Sequence, residues 1–534
     1  MRRRTFTLIP LSCALLVAVS VLGPLSHRIG AQSGEPVDLD AIYQIKDEGL
    51  NRSQVMDTVW WLTEVHGPRL TNSPQMRAAA DWTIKKLTEW GLANVKQEPW
   101  GVDFGRGWSN ERTVVHVLTP SPWPVLAYSR AWTPGTGAAV TAEAIRAPIA
   151  AEADFEKFRG KLKGKIALLQ DAREVQPLFQ APARRFTLEQ LEEMETQAVA
   201  PPGGPQGGPG PGREFAQKRN AFLVAEDVAA VLEPGNGRGD SGSVLVASGG
   251  SRNLKDPPVP PQLAVATEHY NRIARLLARG QAVIMEVDVR NTFHDGDLGM
   301  FNIVAEIPGT GKADEVVMLG AHFDSWHSGT GSVDNASGSS VMLEAMRILK
   351  QSGVRMRRTV RMALWTGEEQ GLIGSRTYVK NHFADPATMV LKPEHSKLAG
   401  YFNMDNGTGQ YRGVYLQGNE AVAPIFRAWM APFENIGMTH LTIRNTSGTD
   451  HLAFNAVGLS GFQFIQDPVQ YSSRTHHSNL DVYDQLIAAD LMKNAVITAA
   501  FVYHTANREQ MLPRKTLPKP TPPPPTPPTP PTAQ

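Results

Sequence analysis

The stretch Val316–Asp334, VVMLGAHFDSWHSGTGSVD, decides how the rest of the chain reads. Val316-Val317-Met318-Leu319-Gly320 is an apolar run that stops at a cluster of imidazole and carboxylate groups. That is the pattern of a buried strand delivering polar side chains to its carboxyl edge. His322 is therefore a candidate metal ligand. Asp324 lies two residues on, where its carboxylate could hold the second imidazole nitrogen, and Asp334 follows in a Gly/Ser-rich turn that leads into a helix.

Toward the C-terminus the same arrangement repeats. A helix is expected over Ser339–Lys350, with Val341, Ala345, Ile348 and Leu349 on one face, and then a strand over Val360–Trp365 that ends at Gly367-Glu368-Glu369. A helix from Leu372 to Asn381 leads to a strand over Ala399–Met404 that ends at Asp405. A further strand, Leu459–Ile465, precedes a loop carrying His476-His477-Ser478-Asn479-Leu480-Asp481. Alternating strands and helices predict an α/β fold with a mixed, largely parallel sheet, and open sheets of this kind bind ligands at the carboxyl ends of their strands. His322, Asp334, Glu369, Asp405 and one of the paired histidines make a donor set suited to zinc and, less selectively, to cobalt or manganese. Five side chains exceed the needs of one tetrahedral ion. With Asp334 as a bridge, two ions each receive one imidazole, one private carboxylate and the shared one. Glu368 is left over, a free carboxylate beside the metals and hence a candidate general base. His327, His382, His395, His440 and His504 lack such company and read as core or surface histidines.

Toward the N-terminus the pattern from Val37 to Trp100 reads as helical. His66-Gly67-Pro68-Arg69 reads as a capped turn between two helices, and a strand is expected over Thr113–Leu118. Residues 126–293 read as a separate β-rich unit of short apolar runs with one helix-like stretch, Thr267–Leu277. No metal-like cluster lies in it, which suits a lid or packing unit. The run PPGGPQGGPGPG at 201–212 has nothing to bury and is expected to be a disordered loop. The ends differ from the body. Arg2-Arg3-Arg4, the apolar Leu11–Gly23 and the small residues Gly30-Ala31 read as a cleaved export signal over residues 1–32, too short in its apolar part for a span. Residues 511–534 are Pro/Thr-rich and are expected to be a disordered spacer. The intervening residues, 33–125 and 294–510, would form the main domain.

At 534 residues the chain exceeds one ordinary core. A formal net charge of +1 excludes an electrostatic case for nucleic acid. The only cysteine, Cys13, lies in the export signal, so disulfides and a thiol nucleophile are excluded from the mature chain.

The motifs AHFDSWHSGTGSVDNASGSS, LWTGEEQGLIGSR, NMDNG, SGTDHLAFNAVG and HHSNLD together resemble the co-catalytic dizinc exopeptidase family, of the leucyl aminopeptidase and glutamate carboxypeptidase II type. FRGKLKGKIALL and REFAQKRNAFLV resemble an inserted protease-associated domain, and the order of parts is similar to that of carboxypeptidase Q. The resemblance implies the zinc exopeptidase fold and two Zn2+ per chain (Co2+ or Mn2+ as substitutes). Asp334 would bridge, His322 and Asp405 would complete one zinc, and Glu369 with His477 the other. Glu368 would be the general base, Asp324 the carboxylate behind His322, and His476 a donor to the developing oxyanion. A cis peptide is implied between Asp334 and Asn335. The expected activity is a secreted, extracellular or periplasmic metallo-exopeptidase acting on peptides or dipeptides, as an aminopeptidase or a carboxypeptidase Q-like dipeptidase. A second copy of the chain is a further candidate partner. A glutaminyl cyclase-like acyltransferase and a non-catalytic binding protein on the same fold are the alternatives.

Overall fold

Two eight-stranded sheets organise the computed structural model, which describes residues 34–199, 211–235 and 242–521. The first contains β1 (Ala93–Gly101), β2 (Met300–Ile307), β3 (Lys312–His322), β4 (Arg358–Trp365), β5 (Leu398–Asn403), β6 (Tyr411–Tyr415), β7 (His440–Thr442) and β8 (Gly461–Gln466). Their order across the sheet is β1-β2-β4-β3-β5-β8-β6-β7. The four central strands, β4, β3, β5 and β8, run parallel to one another. Antiparallel pairs flank them.

The apolar run that marked β3 is continuous because both faces of the sheet are covered. Val317, Leu319 and Ala321 face one core with Val360, Met362 and Leu364 of β4. Met318, Ala363 and Trp365 face the other. The helices Leu39–Asn51, Ser337–Gln351 and Ala488–Asn507 build the first core, and Tyr378, Val379 and Phe454 of the helices Ile373–His382 and His451–Asn455 build the second. With both faces buried, only the strand ends are open to a ligand.

Several expectations change. Ala93–Gly101 is an antiparallel edge strand and not part of a helical stretch: Gly91, at φ 73°, stops the preceding helix, and the chain then pairs with β2. The second sheet spans residues 107–294 and starts earlier than residue 126, because Gly107–Thr119 pairs antiparallel with Ile284–His294 along most of its length. This sheet has its own apolar core, yet the described residues from Val37 onward make one compact unit. The region expected to be a disordered tail is ordered at its start. Leu512 is buried, Arg514 donates to the carbonyls of His395 and Leu398 (2.9 and 2.6 Å), and the Thr521 amide donates to the Pro386 carbonyl (2.9 Å). One apolar side chain and one multidentate cation are enough to fix an extended segment that has little conformational entropy to lose. The expected export signal, the loop at 201–210 and the tail from residue 522 lie outside the described residues, while Pro211 and Gly212 open the helix Pro211–Ala225. Among the described residues no helix is long and apolar enough to cross a membrane.

Candidate metal centre

The carboxyl ends of the parallel strands converge on one buried cluster. His322 is the last residue of β3. Its Nδ1–H donates to the Asp324 backbone carbonyl (3.0 Å), which turns Nε2 toward Asp334 Oδ1 (3.1 Å) and Asp405 Oδ1 (3.2 Å). The partner that fixes this tautomer is thus a carbonyl and not the expected carboxylate, whose nearer oxygen lies 3.9 Å away. The Asp324 carboxylate turns to the next strand end instead. It accepts the Thr71 hydroxyl (2.7 Å) and the amides of Glu368 and Glu369 (3.2 and 3.3 Å), so it fixes the backbone that carries both glutamates.

Asp334 sits after the left-handed Gly331 (φ 68°), where a Cβ would come within 2.3 Å of Ser325 Oγ. The Asp334–Asn335 peptide is cis. Asp481 accepts the amides of Val333 (2.5 Å) and Asp334 (3.3 Å), and Asn335 Nδ2 donates to the Met404 carbonyl beside Asp405 (2.9 Å). Asp334 therefore faces both halves of the cluster: Oδ1 meets His322, and Oδ2 lies 3.3 Å from His477 Nε2 and 3.8 Å from His476 Nε2. His477 Nε2 is also 2.9 Å from Glu369 Oε2. The two imidazoles stack at 3.6 Å, and the Tyr471 ring packs edge-on to His476 at 4.9 Å.

The electrostatics follow from burial. Burial alone would lower His322 and His477, but Asp405 and Glu368 around the first and Glu369 and Asp334 around the second raise both well above the ordinary imidazole value. Glu369 is pushed up to about 7, by burial first, with Asp334 adding to it and His477 opposing. Burial, then Asp405 and Asp450, raises Glu368 well above the ordinary carboxylate range. These carboxylates are short of positive charge, and metal ions would supply it. Two donor groups, His322/Asp334/Asp405 and Asp334/His476/His477, each bring their atoms within 4.8 Å of one another and share Asp334. Asp334 Oδ2 and Glu369 Oε1 are buried with no hydrogen-bond partner, as unfilled ligand atoms would be. The donor types and these orphaned oxygens fit metal ions. On the second side both Glu369 and His476 lie within reach of His477.

Sequence reasoning missed Arg69. It is fully buried behind the cluster, and its guanidinium donates to the carbonyls of Phe323, Leu62, Gly331 and Thr330 (2.8, 2.8, 2.9 and 3.2 Å). Burial draws its pKa down to about 10, against the pull of Asp481, Asp324 and Asp334. Tyr471, whose hydroxyl is 3.5 Å from Asp405 Oδ1, was also missed in this setting. The signal for Arg69 could only have come from long range, since three of its four acceptors lie more than 250 residues away.

Fold and cluster define the class: an α/β sheet, covered on both faces, that gathers carboxylate and imidazole donors at its carboxyl edge. Residues 302–502 match the family model described as Peptidase family M28, the dizinc exopeptidase type that the motifs resemble. Carboxypeptidase Q of Bos taurus is 30% identical over 261 residues, which cover 49% of this chain and 52% of that protein. The chain thus spans about half the length of the curated relatives it matches. Among solved structures, a peptidase M28 precursor from Shewanella amazonensis superposes with a TM-score of 0.63 at 22% identity, covering 90% of this chain and 98% of that one. The zinc aminopeptidase BSAP of Bacillus subtilis gives 0.53 at 20%, covering 85% and 95%. These two share the fold.

Proposed function

We propose that this chain is an exported dizinc metallo-exopeptidase that hydrolyses peptide bonds near a free terminus of peptides or dipeptides. One observation carries the reading: a single buried carboxylate, Asp334, presents one oxygen to His322 and the other to His477. In this reading His322 and Asp405 would hold one ion, Glu369 and His477 the other, and Asp334 both. When bound, zinc would supply positive charge for a carbonyl oxygen and lower the pKa of a nearby water.

The protein's own groups do the rest. Glu368 is anchored through its amide to Asp324, and its buried carboxylate has a raised affinity for a proton. It is therefore suited to take the proton from the attacking water and return it to the leaving amine. His476, stacked on His477, would donate toward the oxygen that becomes negative. Trp326 lies edge-on to the His477 ring, with centroids 6.0 Å apart. Residues 1–32 would act as the export signal, and the second sheet as a protease-associated-type insert. A second copy of the chain would be a further partner.

Glu368→Gln tests the reading. Hydrolysis should fall by about 10²–10⁴-fold with metal content unchanged. Free dipeptides and dipeptides blocked at either end would show which terminus is read. Wild-type rates in the variant would overturn the role of Glu368. Cyclisation of an N-terminal glutaminyl peptide without hydrolysis would mean an acyltransferase.

A further inference from the structure

Gly242–Val246, in the connection between the second sheet's strands Ala230–Pro234 and Gln262–Val265, runs alongside the loop that carries the paired histidines. The Val246 amide donates to the His477 carbonyl (3.0 Å) and the Asn479 amide to the Val244 carbonyl (3.2 Å), with Leu245 bridged antiparallel to Ser478. The Asn479 side chain closes the ladder from both ends: its Oδ1 accepts the Val244 amide (2.6 Å), and its Nδ2 donates to the Gly242 carbonyl (3.1 Å). The Tyr128 hydroxyl, from the strand Ala127–Ser129 of the same sheet, also bonds to Asn479. His477 itself has φ 59°, a left-handed conformation that a residue with a Cβ keeps only where its surroundings hold it. On the other side of the loop, Arg185 of the second sheet's excursion pairs with Asp467 (2.8 Å), and Ser473 donates to the Pro182 carbonyl (2.7 Å). The loop is held from both flanks by chain that its own sheet does not supply.

We infer that Asn479 is a positioning residue through which the inserted sheet sets the imidazole of His477 for metal binding. This rests on the dinuclear reading above. The ligand His477 is bonded through its own carbonyl to Val246 and is followed two residues later by the side chain that fixes Val244. A small displacement of the insert therefore moves the ligand, and the ion on that side should respond to changes more than one residue beyond its own donors. Such supporting groups change metal affinity without touching the ion.

The test uses the full chain stripped of metal and titrated with zinc by calorimetry. In the wild type two binding steps are expected. Asn479→Ala should weaken one step by about 10–100-fold and leave the other unchanged. Asn479→Asp keeps the acceptor for Val244, loses the donor to Gly242, and should fall between them. A variant that binds both ions as the wild type does would overturn the inference. A second readout needs no variant: zinc should slow amide hydrogen exchange at Val244 and Val246, which lie in the insert. Exchange there that zinc leaves unchanged would overturn the coupling even if Asn479→Ala failed to fold. A wild type that binds no second ion would overturn the dinuclear reading and this inference with it.

Discussion

Arg69 should be the largest single contributor to the cluster's stability that is not a metal ligand. Its guanidinium is fully buried and bonds four backbone carbonyls, two of them in the Thr330-Gly331 turn that leads to Asp334. Arg69→Met fills much of the volume but leaves those carbonyls without donors. An orphaned buried acceptor costs about 1–3 kcal/mol. Removing the desolvation cost of a buried cation offsets part of the sum. Four orphaned acceptors, less that offset, leave an expected net loss of about 3–5 kcal/mol. Urea unfolding of metal-stripped protein, followed by circular dichroism, reads it directly. Arg69→Lys keeps the charge but lacks the planar fork that reaches four acceptors, so it should lose part of that stability. The metal step at His322 and Asp334 should weaken in both variants because the turn is no longer tied to Phe323. Arg69→Met within about 1 kcal/mol of the wild type would refute this reasoning.

Asp324→Asn keeps the shape but weakens the acceptor for the Glu368 and Glu369 amides, so hydrolysis should fall about 10–100-fold in steady-state assays at saturating zinc. His451 is wholly buried, and burial lowers its pKa from 6.5 to about 4. Between those values the unfolded chain binds a proton that the folded chain refuses. Stability should fall as the pH drops below 6.5, with about 3 kcal/mol lost by pH 4, and His451→Gln should remove that share in unfolding curves across pH. Arg514→Ala removes the donor to the His395 and Leu398 carbonyls. It should cost about 1 kcal/mol and speed limited proteolysis within residues 511–521, read by mass spectrometry, with the body left intact.

The α/β class was legible because β3, β4, β5 and β8 are each buried on both faces, so their apolar runs stop where the polar ends begin. The expected bounds of β4, β5 and β8 fall within about two residues of the observed ones, as boundary fraying allows, while β3 begins at Lys312, ahead of the apolar run that starts at Val316. The residues singled out at those ends, His322, Asp334, Glu369, Asp405, His476 and His477, lie together in space. What was not legible depends on distant partners. The tetrapeptide ending in Arg69 has the local chemistry of a turn, and its acceptors in the Phe323–Gly331 loop give it no periodic signature. Asp324 was expected to face His322 because it is near in sequence, but the Glu368 and Glu369 amides from a neighbouring strand offered two donors to one oxygen pair. The helix Ala488–Asn507 escaped notice because apolar residues surround it on nearly every face, which blurs the 3.6-residue period. The order in residues 511–521 comes from contacts that a Pro/Thr-rich composition does not advertise.

Metal stoichiometry tests the central claim most directly. Zinc per chain, measured by plasma mass spectrometry after dialysis against trace zinc, should be two for the wild type. Asp334→Asn should lose affinity at both steps, because both ions share that carboxylate. One zinc or none in the wild type, or an Asp334→Asn variant that loses only a single ion, would contradict a dinuclear centre bridged by Asp334.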